Sequence, residues 1–232
     1  MSSDHTKGGA LTDDVAGSAQ AALPNGEPVA ESVDDDEALA PDSEAPEEPV
    51  SPPPPAVAEL AAACVRFVAT RYAVMLDFTP ETLSLVDQYV AEARAEIAVK
   101  PQTLELVQGA AGAYLGEVVR LALGGEWFAE GDVDGWRVDL SRAFLTFNPV
   151  GMVREALLLE TQEGWHAHLE MDPGEREEVE RRLAALPAVE EAEYFAPTTR
   201  FDVLWIAFDA LRARMNEAGL GDVRFTAEDY RK

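Results

Sequence analysis

The chain has a single cysteine, Cys64, in 232 residues, so no internal disulfide can form and stability must come from packing. Its setting, Ala61-Ala62-Ala63-Cys64-Val65, reads as an apolar helix face with no neighbouring histidine and no nucleophile motif. A catalytic thiol is therefore not expected, and a reducing compartment fits. Histidine is nearly as scarce, with three residues, and basic residues are few: 18 Lys and Arg stand against 44 Asp and Glu, a formal net charge of −26 at pH 7. Charge of that sign opposes phosphate backbones and anionic lipid, which argues against nucleic-acid and membrane partners and favours a cationic one. Acidic excess also serves solubility alone. No run approaches the roughly 20 apolar residues that a membrane helix requires. Met1-Ser2-Ser3-Asp4-His5 offers neither a basic n-region nor an apolar stretch, so no signal peptide is expected and the chain reads as cytoplasmic.

A local absence divides the chain. Residues 1–57 contain no aromatic residue, one basic residue (Lys7) against 13 acidic ones, and nine of the 15 prolines. Such a segment cannot recover in buried apolar surface the ordering cost of about 1–2 kcal/mol per residue, and it is expected to be disordered. Asp34-Asp35-Asp36-Glu37 repels itself, and Pro52-Pro53-Pro54-Pro55 is expected to form a short stiff spacer. Every aromatic lies at Phe67 or later. Residues 58–232 should then form a single domain, itself acidic.

Within that domain, helical spacing of Leu60, Cys64, Phe67, Val68, Tyr72 and Met75 predicts a first helix from Ala58 to about Leu76. Thr79-Pro80-Glu81 supplies a cap, a first-turn proline and an acid for the positive dipole end, which predicts a second helix to about Val99 with Leu83, Val86, Val90 and Ile97 buried. Pro101 opens a third, with Leu104, Val107, Ala111, Tyr114, Leu115, Val118 and Leu121 inward and Gly124-Gly125 as its stop. The middle of this helix, Gly109 to Gly116, is almost free of side-chain bulk. Since glycine costs up to about 1 kcal/mol relative to alanine in a helix interior, a second backbone should pack closely there, from the first helix or the following sheet. Three aromatic-rich segments, 126–129, 135–140 and 143–147, read as an antiparallel meander with Asp134-Gly135 as a hairpin turn. Helices from Val150 to Leu159, from Asp172-Pro173 to Leu186 and from Arg200 to Ala218 complete the domain, the last with Phe201, Leu204, Trp205, Phe208, Leu211 and Met215 inward. The fold class is α+β: helices around a small antiparallel sheet of about three strands, after a long disordered N-terminal tail.

Glu117 is the leading candidate for chemistry, because it sits among Tyr114, Leu115, Val118 and Leu121, and a desolvated carboxylate can serve as general acid or base. Arg120 three residues on, or N–H groups near Gly125 to Trp127, would instead make it a structural partner. Tyr114, Glu117, Trp127, Trp136 and Arg137 are taken together as candidate binding residues. His166 and His168 would share one face of a strand, continued by Glu170, as a candidate metal set; an exposed strand would show the same residues. No Gly-rich phosphate loop, G-x-S-x-G, H-E-x-x-H or kinase signature occurs, so no cofactor is expected.

The string Gly112-Ala113-Tyr114-Leu115-Gly116-Glu117, followed by Gly124-Gly125-Glu126-Trp127, resembles a family of small bacterial domains of unknown function in which a Tyr-Leu-Gly-Glu helix runs into a Gly-Gly-x-Trp turn and strand. Leu76 to Leu83 is similar to that family's opening helix start, and Phe147-Asn148-Pro149 to the end of its sheet. The resemblance spans about residues 76–160 and implies fold alone.

These features point first to a non-enzymatic protein-interaction or regulatory module whose acidic surface and acidic arm hold a basic protein partner. Neutralisation of a basic toxin, in the manner of an immunity protein, is a special case supported by charge. Two alternatives stand beside it: an enzyme using Glu117 with Trp127, Arg137, His166 or His168 in a pocket near the sheet, and a tail that serves as an address for other proteins.

Overall fold

The computed structural model describes residues 51–231; the disordered arm and address expected for residues 1–50 lie outside them. The first helix, α1 (Pro55–Tyr72), begins inside the proline run. Pro54 is extended (φ −52°, ψ 144°) and Pro55 takes the first helical position, where a missing N–H costs nothing. Val57 is fully buried, packing with Ala61, Ala113, Trp136 and Val150. The body therefore starts before the expected boundary at residue 58, and residues 55–57 belong to the fold.

α1 ends at Ala73, left-handed at φ 57°, rather than at Leu76, and Met75 is exposed instead of buried. The turn that follows is held by Asp77, whose Oδ1 accepts from the Thr79 amide (3.0 Å) and hydroxyl (2.7 Å). Thr79 thus stands at the cap position with its hydroxyl turned back to Asp77. Pro80–Thr82 and Pro101–Thr103 form single 3₁₀ turns before α2 (Leu83–Val99) and α3 (Leu104–Leu123). The expected stripe of α2 is buried in full; in α3, Leu121 faces solvent.

α3 is the central element, buried from Val107 to Arg120, and it packs chiefly against α1 and α4 (Pro149–Leu158). The close backbone neighbour expected at its glycines is α4: a Cβ at Gly112 would lie 2.5 Å from Val150 Cα. The sheet contributes at Gly116, where a Cβ would overlap the Trp127 ring, whereas α1 meets Gly109 through Leu60 side-chain atoms at ordinary distance.

The sheet is an antiparallel meander of four strands, β1 (Gly125–Phe128), β2 (Arg137–Leu140), β3 (Leu145–Phe147) and β4 (Glu170–Met171), in that order. Asp134-Gly135 does not make a two-residue hairpin. It lies in a 3₁₀ turn, Val133–Gly135, within a longer connection from Phe128 to Arg137. Residues 164–169, a strand candidate, are irregular, and pairing begins only at Glu170. Val138, Leu140, Leu145 and Phe147 enter the main core, each burial worth about 1.5–3 kcal/mol relative to exposure. The intervening Arg137, Asp139 and Thr146 take the other face, as pleating requires.

Asn148 joins sheet to helix. Its Oδ1 accepts from Gly151 N–H (2.9 Å) at the start of α4, while Nδ2 donates to the carbonyls of Val133 (3.1 Å) and Asp134 (2.8 Å). The charged helix α5 (Arg176–Leu183), the short α6 (Glu191–Tyr194) and α7 (Pro197–Glu217) close the domain. Val179 is buried and Leu186 exposed. On α7 the buried residues are Pro197, Arg200, Phe201, Leu204, Ala207, Ala210 and Leu211; Trp205, expected inside, is 48 % exposed. After Gly219 the chain returns to the sheet, where Phe225 N–H donates to the Ser141 carbonyl at 2.7 Å. Among the described residues no helix is long and apolar enough to cross a membrane.

Candidate functional site

Two places gather the candidate residues: the corner where α3 meets β1, and the face of the sheet turned away from the main core. At the corner, the absent side chain of Gly116 lets the Trp127 ring lie across α3. Its indole N–H then donates to Glu117 Oε1 at 2.7 Å. Arg120 grips the same carboxylate with both prongs, Nε to Oε1 and Nη2 to Oε2, each at 2.8 Å, and its Nη1 donates to the Ser51 carbonyl at 2.8 Å. Glu117 is 5 % exposed and Arg120 4 %. Both carboxylate oxygens are engaged and closed from solvent, so this acid is a structural partner with no opening for a substrate. The constellation of Glu117 with His166 or His168 is not assembled: His166 lines the sheet-face groove, which Glu117 does not reach.

Tyr114 is likewise internal. Its hydroxyl accepts from Phe78 N–H (2.9 Å) and lies 2.6 Å from Thr82 Oγ1, while its ring stacks on Phe78. It pins the left-handed turn at Phe78 (φ 65°) rather than offering a contact surface. Burial pushes its hydroxyl pKa up, against the lowering effect of those hydrogen bonds. Cys64 is also sealed, with its thiol pushed up to about 12 by burial. It should resist alkylation in the native state at neutral pH and react in denaturant. Equal labelling rates before and after unfolding would contradict the buried assignment.

Trp136 and Arg137 fall elsewhere, on a groove of about 400 Å³ over β2, β3 and β4. The Arg137 guanidinium lies 4.1 Å above the Phe128 ring, and its Nε donates to both oxygens of Asp139 (2.9 and 3.2 Å). Thr146 Oγ1 donates to Asp139 Oδ1 at 2.6 Å, so this nearly buried acid is held from two strands. Trp136 meets Trp127 edge-on at 6.4 Å and donates its indole N–H to the Gly131 carbonyl at 3.2 Å.

His166 stands exposed at the rim with φ 47°, its Nδ1 3.2 Å from Glu170 Oε1. His168 borders a different cavity. Without a regular strand from 164 to 169, the alternation that would have aligned the two histidines is lost, and no group of three His, Cys, Asp or Glu among the described residues could hold a metal ion.

No protein family, curated protein or solved structure matches this chain. Its own residues must carry any functional reading.

Three residues in or beside the groove escaped sequence reasoning: Thr146 and Tyr230, which line it, and Asp139, which Thr146 and Arg137 hold. Asp139 and Thr146 were legible, since each is the polar residue between two core positions in its strand. Tyr230 was not, because the segment after Gly219 has no periodicity. Its hydroxyl donates to the Leu140 carbonyl (2.7 Å) and accepts from Leu145 N–H (3.0 Å), while Phe144 stacks on its ring at 4.7 Å. Burial in that turn raises its pKa well above the ordinary phenol value.

Proposed function

We propose that the chain is a non-enzymatic interaction module that holds a basic segment of a partner protein against the outer face of its sheet. The observation that carries this reading is the row Glu126, Asp139, Thr146 and Glu170, which lie opposite one another across all four strands. Carboxylates directly opposed on one sheet face repel. Arg137 and Thr146 offset Asp139, but Glu126 stands exposed beside it. A cationic side chain from a partner would relieve that repulsion, and the aromatic residues Trp136, Phe144 and Tyr230 give its aliphatic stem an apolar wall. The net charge of −26 would accelerate encounter with such a partner.

Titration calorimetry with a lysine-rich peptide tests this. Binding should be measurable at low salt, weaken steeply as salt is raised, and weaken in Glu126→Lys. A fragment beginning at Ser51 retains the carbonyl that Arg120 needs and should keep the sheet-face component of binding. Failure of the full chain to bind the peptide, or binding indifferent to salt and to the Glu126 reversal, would exclude the reading.

A further inference from the structure

β1 is the outermost strand on its side of the sheet, so one edge of its backbone has no partner strand among the described residues. Which groups lie on that edge follows from the register. Ser141 N–H donates to the Gly124 carbonyl at 3.3 Å, and Gly125 stands opposite Leu140. Hydrogen-bonded and non-hydrogen-bonded pairs alternate along an antiparallel ladder. Glu126 with Asp139 and Phe128 with Arg137 are therefore the bonded pairs, while Gly125 and Trp127 turn their main-chain N–H and C=O away from β2. Neither residue is buried, and what Gly125 exposes is main chain, since it has no side chain. An open edge of this kind is a template for another strand.

We infer that a basic, extended peptide segment adds to this edge as a fifth strand, its main chain pairing with Gly125 and Trp127. The inference rests on the sheet-face reading and names how the basic segment is held there. Charge selects the occupant. Exposed Glu126 shares the outer face with Asp139, and a residue opposite it on an added strand would stand about 4.5–5.5 Å away. Beyond β1 the chain carries three more exposed acids, Glu130, Asp132 and Asp134. The neighbouring cations Arg120 and Arg137 are each already bonded to a carboxylate of this chain, Glu117 and Asp139. Lysine or arginine at every second position of an extended segment would meet the outer face. The β1 edge of a second copy is a poor occupant, because it would bring its own Glu126 and a net charge of −26. With four residues, β1 spans about 13 Å, which limits the paired segment to a similar length.

The test uses the full, unaltered chain at low salt with the acetylated peptide Lys-Thr-Lys-Thr-Lys-Thr and two analogues, one with its threonine amides backbone N-methylated and one with its lysine amides so treated. Only alternate residues of an added strand turn their N–H toward β1. One analogue should therefore bind like the parent and the other about tenfold or more weakly. Loss on methylating the threonines marks an antiparallel strand, and loss on methylating the lysines a parallel one. In amide hydrogen exchange, Glu126 and Phe128 should be slow in the free chain, whereas Gly125 and Trp127 should slow only when the parent peptide is bound. A parent that binds while the two analogues behave alike, or while Gly125 and Trp127 exchange as before, would overturn strand addition and leave charge attraction to the sheet face standing. A parent that does not bind would remove this inference and the sheet-face reading together.

Discussion

Replacing Glu117 by alanine should lower the stability of the domain by about 3–5 kcal/mol, a large share of the roughly 5–15 kcal/mol that a domain ordinarily has. The alanine leaves the Arg120 guanidinium nine-tenths buried with one neutral acceptor, the Ser51 carbonyl, and leaves the Trp127 indole N–H with none. A buried charge stripped of its partner pays its desolvation uncompensated, and that term dominates over the lost packing. The double variant Glu117→Met with Arg120→Leu should recover most of the loss, because a buried ion pair roughly breaks even against apolar residues of similar volume. Urea denaturation measures both: the single variant should move the midpoint down with an unchanged slope, and the double should move it most of the way back. A Glu117→Ala protein as stable as the parent would mean that the carboxylate is not holding the corner, and the acid–base reading would return.

Alanine at two neighbouring glycines of α3 should act in opposite directions. At Gly112 the new Cβ would lie 2.5 Å from Val150 Cα and 3.0 Å from the Pro149 carbonyl oxygen. Both neighbours are backbone, so α3 and α4 must separate. Overpacking of that sort costs about 1–3 kcal/mol or more, which exceeds the helix-propensity gain of about 1 kcal/mol. At Gly109 the nearest atoms are Leu60 methyl carbons at 3.5 and 3.6 Å, an ordinary contact. Propensity should win there, and Gly109→Ala should stabilise by about 0.5–1 kcal/mol. Thermal melts of the two variants separate these signs. Matching losses would mean that α1 sits as tightly on α3 as α4 does.

Which features could be read from sequence follows from how local their causes are. Pro80 and Pro101 fix helix starts through their own geometry, and the stripe Leu83, Val86, Val90, Ile97 needs only a 3.6-residue period, so α2 and the opening of α3 were legible. The need for a backbone against Gly112 was legible too, but not that α4 would supply it, since that depends on the Asn148 cap aiming Pro149-Val150 at the helix. Asp134-Gly135 carries a hairpin signal in isolation. In the fold, Asn148 bonds the Val133 and Asp134 carbonyls and draws the segment into a 3₁₀ turn. Trp205 shares the period of its buried neighbours yet faces solvent, because the smaller Ala207 and Ala210 take the close contacts of α7.

The candidate site divided along the same line. Glu117, Arg120 and Trp127 were each visible as chemistry-bearing residues, and Arg120 three residues on was already the reason to expect an ion pair. The contribution of Ser51 was invisible, since it joins residues 69 apart and lies in the segment expected to be disordered. The pairing of Arg137 with Asp139 needed only strand alternation. Tyr230 required knowing where residues 220–231 return, which no local pattern encodes.

Glu117 is locked into the α3–β1 corner, and hydrogen exchange at the Trp127 indole N–H measures that lock most directly. The bond to Glu117 should make this proton exchange far more slowly than the indole N–H of exposed Trp205, and the protection should collapse in Glu117→Ala. A Trp127 proton that exchanges as fast as that of Trp205 would show an open corner and a carboxylate available to substrate, contrary to the assignment made here.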